Sequence, residues 1–185
     1  MIKIAPSILS ADFSKLGAEI EDIKQGGADY VHFDVMDGEF VPNISIGVPV
    51  LKSVRKTTDM FLDVHLMIDR PVRYAEVFCK TGADLVMFHV EADTPKKISE
   101  AIDIVKRCGK KVGLSVKPKT PAEALYPYLD KLDMVLEEMK NRGFIIGKNG
   151  VARNVMAFQP PLVITKDDIN NVLNALDDVM SSVVK

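Results

Sequence analysis

The chain has 185 residues, of which 47% are hydrophobic and 27% charged, and its formal net charge at pH 7 is −2. This composition is typical of a soluble globular protein with a buried core, and it excludes an intrinsically disordered chain. The near-neutral charge provides no basic field for nucleic acid or for an anionic membrane surface, so we expect neither partner. No apolar stretch reaches the roughly 18 residues that a transmembrane helix needs.

The first residues and the cysteines predict the cellular compartment. Pro6 and Asp12 interrupt the N-terminal segment too early for the apolar region of a secretory signal peptide. Two cysteines, Cys79 and Cys108, are too few for a disulfide framework or a structural zinc site. A cytoplasmic location is therefore expected.

Residues 1–136 repeat one pattern, in which a short run rich in Val, Ile and Phe precedes a polar stretch of helical spacing and a Gly-containing turn. The predicted strands are Lys3–Leu9, Tyr30–Val35, Phe61–Met67, Leu85–Val90, Lys111–Val116 and Met134–Leu136. Strands that alternate with helices pair in parallel through right-handed crossovers. The pattern predicts an α/β fold, either a doubly wound sheet or a (β/α)8 barrel.

Two features favour the barrel. No GxGxxG follows the first strand, and polar residues lie at the C-terminal ends of several strands, where barrel enzymes carry their active sites. These residues are Ser7, His32, Asp34 and His65. A complete barrel has eight strands and usually at least roughly 200 residues. The predicted strands here make about five and a half β/α units, so we expect a partial TIM barrel.

The pattern changes after Leu136. The predicted elements are a helix over Glu137–Arg142, strands over Phe144–Gly147 and around Val155–Phe158 with a turn at Lys148–Gly150, and a long amphipathic helix that begins near Thr165. This order is not a β/α repeat. We therefore predict a barrel-like part over residues 1–136 that is completed by an α-β-β-α tail over residues 137–185.

One group of polar residues has the composition of a metal site. His32 and Asp34 are two residues apart on one strand, so their side chains leave the same face, and His65 ends the next strand. Two imidazoles and a carboxylate could hold Zn²⁺, Fe²⁺ or Mn²⁺. The alternative is that they are interior polar residues satisfied by hydrogen bonds.

Five further residues lie near these strand ends, and four of them have two interpretations each. Met36 and Met67 either line a pocket beside the metal or fill the core. Ser7 either donates a hydrogen bond to substrate or caps the following helix. Asp37 is first a turn residue and only secondarily a site residue. His89 lacks an Asp companion, and we interpret it as an interior structural residue.

Four segments together resemble the ribulose-phosphate 3-epimerase family, and the resemblance extends to about Leu136. They are APSILSADF at Ala5–Phe13, VHFDVMDGEFVPNISIG at Val31–Gly47, LDVHLMI at Leu62–Ile68 and FHVE at Phe88–Glu91. The resemblance implies an eight-stranded barrel that binds a divalent metal. It also implies interconversion of D-ribulose 5-phosphate and D-xylulose 5-phosphate by inversion at C3.

The same resemblance implies a role for each matching residue. His32, Asp34 and His65 would be metal ligands, Asp34 would also be one catalytic acid/base, and Ser7 would contact the substrate. Inversion at C3 requires a second acid on the opposite face. In the family this is an Asp in a VDGG-like motif on the seventh strand, and Gly-rich loops hold the phosphate. Neither feature is found in the sequence after Glu137.

The tail has a different resemblance. Residues 137–185 are similar to the C-terminal end of a class III aminotransferase dependent on pyridoxal phosphate, with the PPL-x-IT signature at Pro160–Thr165. That cofactor is not expected here, because its Schiff-base lysine and phosphate-binding residues belong to a domain that has no counterpart in this sequence. The two resemblances together imply a chimera.

Three functional hypotheses follow. The first is a chimera that keeps part of an epimerase site and has little or no turnover. The second is a working epimerase whose substitute acid comes from Asp167, Asp168 or a partner chain, and the third is a non-catalytic engineered scaffold. An unpaired sheet edge would also favour a homodimer.

Overall fold

The computed structural model describes residues 3–139, 144–149 and 155–158, and eight strands in these segments form one sheet. The strands are β1 (Lys3–Ile4), β2 (Tyr30–Met36), β3 (Phe61–Met67), β4 (Leu85–His89), β5 (Lys111–Ser115), β6 (Met134–Met139), β7 (Phe144–Asn149) and β8 (Val155–Phe158). The order across the sheet is β1-β8-β7-β6-β5-β4-β3-β2. All neighbours from β2 to β6 are parallel, which confirms the predicted α/β class.

Helices connect the parallel strands. They are α1 (Leu16–Gln25), α2 (Val48–Thr57), α3 (Ala75–Thr81) and α4 (Pro95–Arg107), with shorter 3₁₀ segments that include Ile8–Ser10, Val90–Ala92 and Ala122–Lys131. The apolar side of α4 is buried at Ile98, Ile102 and Val105. No helix in the described part of the chain has both the length and the apolar character needed to cross a membrane.

The two outer strands of the sheet also meet, which closes it into a barrel. The His32 backbone N–H on β2 donates to the Pro6 carbonyl at 2.9 Å, and Ser7 and His32 form a parallel bridge. β1 itself is shorter than the predicted Lys3–Leu9, because Ile8–Ser10 turns into a 3₁₀ segment. The first strand therefore stops at the rim of the barrel and leaves Ser7 beside β2.

The strands after β6 belong to the barrel sheet, a point that the sequence left open. β7 is antiparallel to both β6 and β8, and β8 is parallel to β1. Two antiparallel pairings thus replace two parallel ones of a regular (β/α)8 barrel. The sheet edge that favoured a homodimer is paired within the described residues, so the homodimer remains a prediction without this support.

Two predictions about the tail are wrong. Glu137–Met139 does not form the expected helix but continues β6, in register with Phe144–Ile146 of β7, and Lys148 and Asn149 pair with β8 instead of forming a turn. Cross-strand backbone hydrogen bonds here override the helix preference of Glu and Met. Three remaining parts of the tail prediction lie outside the described residues. They are residues 140–142 of the first helix, Gly150 of the turn, and the long helix that begins near Thr165.

The layer between the parallel strands and the helices that cover them is closely packed. Phe33, Leu62, Leu66 and Phe88 are fully buried between the sheet and its helices. Each such side chain contributes about 1.5–3 kcal/mol of hydrophobic stabilisation. This packing fixes β2, β3 and β4, the three strands that carry the polar residues described next.

Candidate metal centre

The three predicted metal ligands converge at the C-terminal end of the barrel. β2 supplies His32 and Asp34, β3 supplies His65, and Asp34 and His65 are direct neighbours in the strand register. All three are buried, and one ligand atom from each lies within 4.8 Å of the other two. The period-2 alternation of the two strands therefore brings together the groups that the sequence suggested.

Asp34 lies at the centre of this group. Its Oδ1 is 3.1 Å from His32 Nε2 and 3.4 Å from His65 Nδ1, and its Oδ2 accepts a hydrogen bond from Ser7 Oγ at 2.5 Å. Burial alone would raise the pKa of Asp34, but the two imidazoles outweigh burial and hold this pKa well below its usual range. Asp34 is thus a carboxylate at neutral pH.

His32 has a second carboxylate partner that sequence reasoning missed. Its Nδ1 is 2.8 Å from Oδ2 of Asp63, which is fully buried on β3. Burial would lower the pKa of His32, but Asp34 and Asp63 together raise it to about 10. A signal was present in the sequence, because Asp63 is two residues before His65 and so shares its face of the strand.

His65 also has a second partner, because His89, which we interpret as an interior structural residue, is buried beside it. The Nε2 atoms of His65 and His89 are 3.0 Å apart, and their rings stack with centroids 5.0 Å apart. On the other side of the His89 ring, Nδ1 is 3.6 Å from Oε2 of Glu91. The site therefore has a second layer on β4 and on the segment that follows it.

Charge and burial also act on this second layer. Burial lowers the pKa of His89. Burial would raise the pKa of Glu91, but the nearby His89 and Thr120 side chains and a hydrogen bond from the Lys117 backbone N–H lower it to about 2. At neutral pH, therefore, Glu91 is ionised and His89 is neutral.

The remaining candidate residues lie around this centre. Ser7 Oγ accepts a hydrogen bond from Leu9 N at 3.1 Å, so it caps the 3₁₀ segment as well as contacting Asp34. Met36 and Met67 are register partners at the ends of β2 and β3, and both are half-buried. Asp37 accepts backbone hydrogen bonds from Glu39, Phe40 and Asp69, which matches the turn interpretation.

The arrangement fits a divalent metal. Two imidazoles and one carboxylate are a common ligand set for Zn²⁺ and for iron. His32 presents Nε2 to the centre while a carboxylate holds its Nδ1, the second-shell arrangement found at many histidine ligands. Among the described residues, the three ligand atoms are close enough together to serve one ion.

Comparison with known proteins identifies the family. The family model for ribulose-phosphate 3-epimerases matches residues 3–148. The chain belongs to the ribulose-phosphate 3-epimerase family. This match confirms the resemblance of the N-terminal part and reaches beyond Leu136. A divalent metal is the cofactor of this epimerase family, in keeping with the ligand set at His32, Asp34 and His65.

Curated ribulose-phosphate 3-epimerases are close relatives of the chain in sequence. The protein from Bacillus subtilis is 50% identical over 144 residues, which are 78% of this chain and 65% of the relative. The protein from Synechocystis is 46% identical over 143 residues, which are 77% of this chain and 62% of the relative. The chain thus spans less than two thirds of the length of these epimerases.

Solved structures support the barrel-like fold of this epimerase family member. KGPDC from Streptococcus mutans superposes with a TM-score of 0.59 over 96% of this chain and 74% of its own, at 10% identity. Orotidine 5′-monophosphate decarboxylase from Methanocaldococcus jannaschii reaches a TM-score of 0.51 over 72% of this chain and 61% of its own, at 19% identity. At these identities the likeness concerns the fold alone.

Proposed function

We propose that the chain binds a divalent metal through His32, Asp34 and His65 and removes the C3 proton of D-ribulose 5-phosphate. The observation that carries this proposal is the convergence of three ligand atoms within 4.8 Å, at the C-terminal end of the barrel in a member of this family. The ligand set is compatible with Zn²⁺, Fe²⁺ or Mn²⁺. The proposed partner is thus a small sugar phosphate.

The chemistry divides between the metal and Asp34. When bound, the metal stabilises the negative charge that develops on the ketone oxygen as the adjacent C3 proton leaves. Asp34 accepts that proton, because its carboxylate lies at the centre of the ligand group. Ser7 orients Asp34 through the 2.5 Å hydrogen bond and would contact the substrate, and Met36 and Met67 would line the pocket at the strand ends.

The proposed activity is half of an epimerase mechanism, with little or no turnover. The sequence lacks the family's second catalytic Asp and its phosphate-binding loops. A single base can remove and return the proton on one face of C3, but inversion needs a second acid. The alternatives are a working epimerase with a substitute acid and a non-catalytic engineered scaffold.

The tail belongs to the same proposal. Residues 1–136 would be the epimerase-derived part and residues 137–185 a segment related to class III aminotransferases. The PPL-x-IT signature at Pro160–Thr165 lies beyond residue 148, where the family match ends. Aminotransferase activity is not expected, and added pyridoxal phosphate should produce no absorbance band of a lysine adduct.

A proton NMR time course in D₂O tests the proposed function. Zn²⁺-loaded protein is incubated with D-ribulose 5-phosphate, and the C3 proton and the signals of xylulose 5-phosphate are followed together. We expect loss of the C3 proton without the epimer. Asp34→Asn should abolish this exchange, whereas Asp59→Asn, at an exposed residue that pairs with Lys24, should not.

Each other result has a definite meaning. Formation of xylulose 5-phosphate would show that a second acid is present and would favour the working epimerase. If metal-loaded protein shows neither exchange of the C3 proton nor formation of the epimer, the proposal is refuted and the scaffold hypothesis remains.

A further inference from the structure

The two cysteines of the chain lie together in the layer of helices outside the barrel sheet. Cys79 is in the last turn of α3, and Cys108 is the C-terminal cap of α4. Both are free thiols, and both line one pocket of about 620 Å³ between these two helices. They share this pocket because α3 packs against α4. The fold thus makes a thiol pair from two cysteines that are distant in sequence.

This pocket lies at the end of the barrel opposite to the candidate metal centre. α3 ends at Thr81, shortly before β4 begins at Leu85, and α4 ends at Arg107, shortly before β5 begins at Lys111. The two helix ends therefore lie beside the starts of the parallel strands, whereas the candidate metal ligands converge at the C-terminal end of the barrel. Chemistry at the thiol pair is thus separate from the proposed epimerase chemistry.

The two thiols differ in accessibility. Cys79 is 3% exposed, whereas Cys108 is half-buried. Burial, together with the neighbouring Cys108, raises the pKa of the Cys79 thiol to about 12, so Cys79 by itself stays protonated and unreactive at neutral pH. The Cys108 backbone N–H donates to the Ile104 and Val105 carbonyls at 3.1 Å each, which fixes this residue at the end of α4. A reagent that enters the pocket therefore meets Cys108 first.

The charges around the pocket favour an anionic reagent. Lys80, Arg107 and Lys110 line the pocket together with one carboxylate, that of Glu76. Glu76 pairs with Lys80 at 2.6 Å, and Asp84 lies 3.6 Å from Lys110. Within the described part of the chain Arg107 forms no ion pair, so its guanidinium is available to an anion that enters the pocket.

We propose that Cys79 and Cys108 are a redox-active thiol pair, which an anionic low-molecular-weight disulfide converts to a disulfide bond between α3 and α4. The Cys108 thiolate attacks one sulfur of the reagent, the bond between the two reagent sulfurs breaks, and one half leaves as a thiolate. Cys79 then loses its proton to solvent and attacks Cys108 Sγ, which releases the second half. Two cysteine thiols are oxidised, and the reagent is reduced to two thiols that take up the two protons.

The order of these two steps follows from the contact between the thiols. As long as the Cys108 sulfur is free, its negative charge adds to burial in keeping Cys79 protonated. A mixed disulfide on Cys108 removes that charge and places an electrophilic sulfur beside Cys79. The closed disulfide keeps both sulfurs from the irreversible steps of cysteine oxidation, and a thiol reductant restores the pair.

Peptide mass spectrometry of the full chain treated with oxidised glutathione tests the proposal. Trypsin cleaves after Lys and Arg, so it should release residues 74–80 and 108–110, each with one cysteine. Free thiols are blocked with N-ethylmaleimide before digestion. We expect the two peptides to be joined in the unreduced digest and separate after treatment with a thiol reductant. The readout needs neither metal nor sugar phosphate, so it is independent of the proposed function.

Variants test the order of attack and the role of charge. Cys79→Ala should stop at glutathione attached to Cys108, and Cys108→Ala should leave Cys79 unmodified. Arg107→Gln should slow the reaction with oxidised glutathione by roughly two- to tenfold, but not the reaction with uncharged 2-hydroxyethyl disulfide. Lys106→Gln is the matched control and should slow it less, because Lys106 is exposed on α4 and does not line the pocket.

Three results would overturn parts or all of the proposal. Glutathione on Cys108 of the wild type without joined peptides, or Cys108 joined to a second copy of itself, would reject the thiol pair. Glutathione on Cys79 in Cys108→Ala would reject the order of attack. Equal rates for the wild type and Arg107→Gln with oxidised glutathione would reject the preference for an anionic reagent. If circular dichroism shows that Cys79→Ala does not fold, the peptide map of the wild type decides.

Discussion

Asp63 should control metal affinity although it does not reach the metal centre. It is fully buried, and its Oδ2 is 2.8 Å from His32 Nδ1. A hydrogen bond to a charged group contributes about 1.5–3 kcal/mol, and a neutral one about 0.5–1.5 kcal/mol. Asp63→Asn keeps the shape and a neutral acceptor, so it should lose about 1–1.5 kcal/mol, or roughly tenfold in Zn²⁺ affinity. Asp63→Ala removes the acceptor and should lose up to about 100-fold.

Titration calorimetry with Zn²⁺ at pH 7.5 measures this series. Asp59→Asn is the matched control, since the Asp59 side chain is 85% exposed and pairs only with Lys24 among the described residues. Circular dichroism confirms that each variant is folded before binding is compared. Equal Zn²⁺ affinity for the wild type and both folded Asp63 variants would refute the claim that Asp63 holds His32 for the metal.

Three further predictions concern stability and thiol reactivity. Ile102→Ala should lower the free energy of unfolding by about 2–5 kcal/mol in urea titrations, because the side chain is fully buried on α4, and a loss below about 1 kcal/mol would contradict that packing. Gly82→Ala should lower the melting temperature, since φ is +133° and a Cβ would lie 2.5 Å from a neighbouring side chain, whereas Gly17→Ala within α1 should not. Burial and the neighbouring Cys108 raise the pKa of the Cys79 thiol to about 12. Iodoacetamide at pH 8 should therefore label the less buried Cys108 first, as followed by peptide mass spectrometry. Faster labelling of Cys79 would contradict this prediction.

Local patterns were enough to predict that His32, Asp34 and His65 lie together. His32 and Asp34 share a face because side chains alternate along a strand, and that holds for any sheet that contains β2. Only the neighbouring position of β3 had to be assumed for His65. Consecutive strands of β/α units usually lie side by side, so this assumption was a safe one.

The second layer could not be predicted in the same way. The contact between His65 and His89 depends on the stagger of β4 against β3, which pairs His65 with Met87 and leaves His89 two residues beyond Met87 on the same face. The sequence contains no direct sign of that stagger. The helix prediction for Glu137–Met139 was wrong for a related reason. These residues form a strand because they pair with β7, which follows several residues later in the chain.

The direction of the last strands limits where a second acid could come from. Active-site groups of a barrel lie at the end to which the parallel strands point. Because β7 runs antiparallel to β6, its C-terminal residue Asn149 lies at the opposite end, and its first residue Phe144 is paired with Met139 at the site end. β8 runs parallel to β1, so the chain leaves Phe158 at the site end. Residues 140–143 contain no carboxylate, so a substitute acid for the working-epimerase alternative should be sought after Phe158, where Asp167 and Asp168 follow in sequence. Should the NMR time course show epimer, Asp167→Asn combined with Asp168→Asn should reduce it to one-sided exchange, and full retention of epimer formation would exclude both residues.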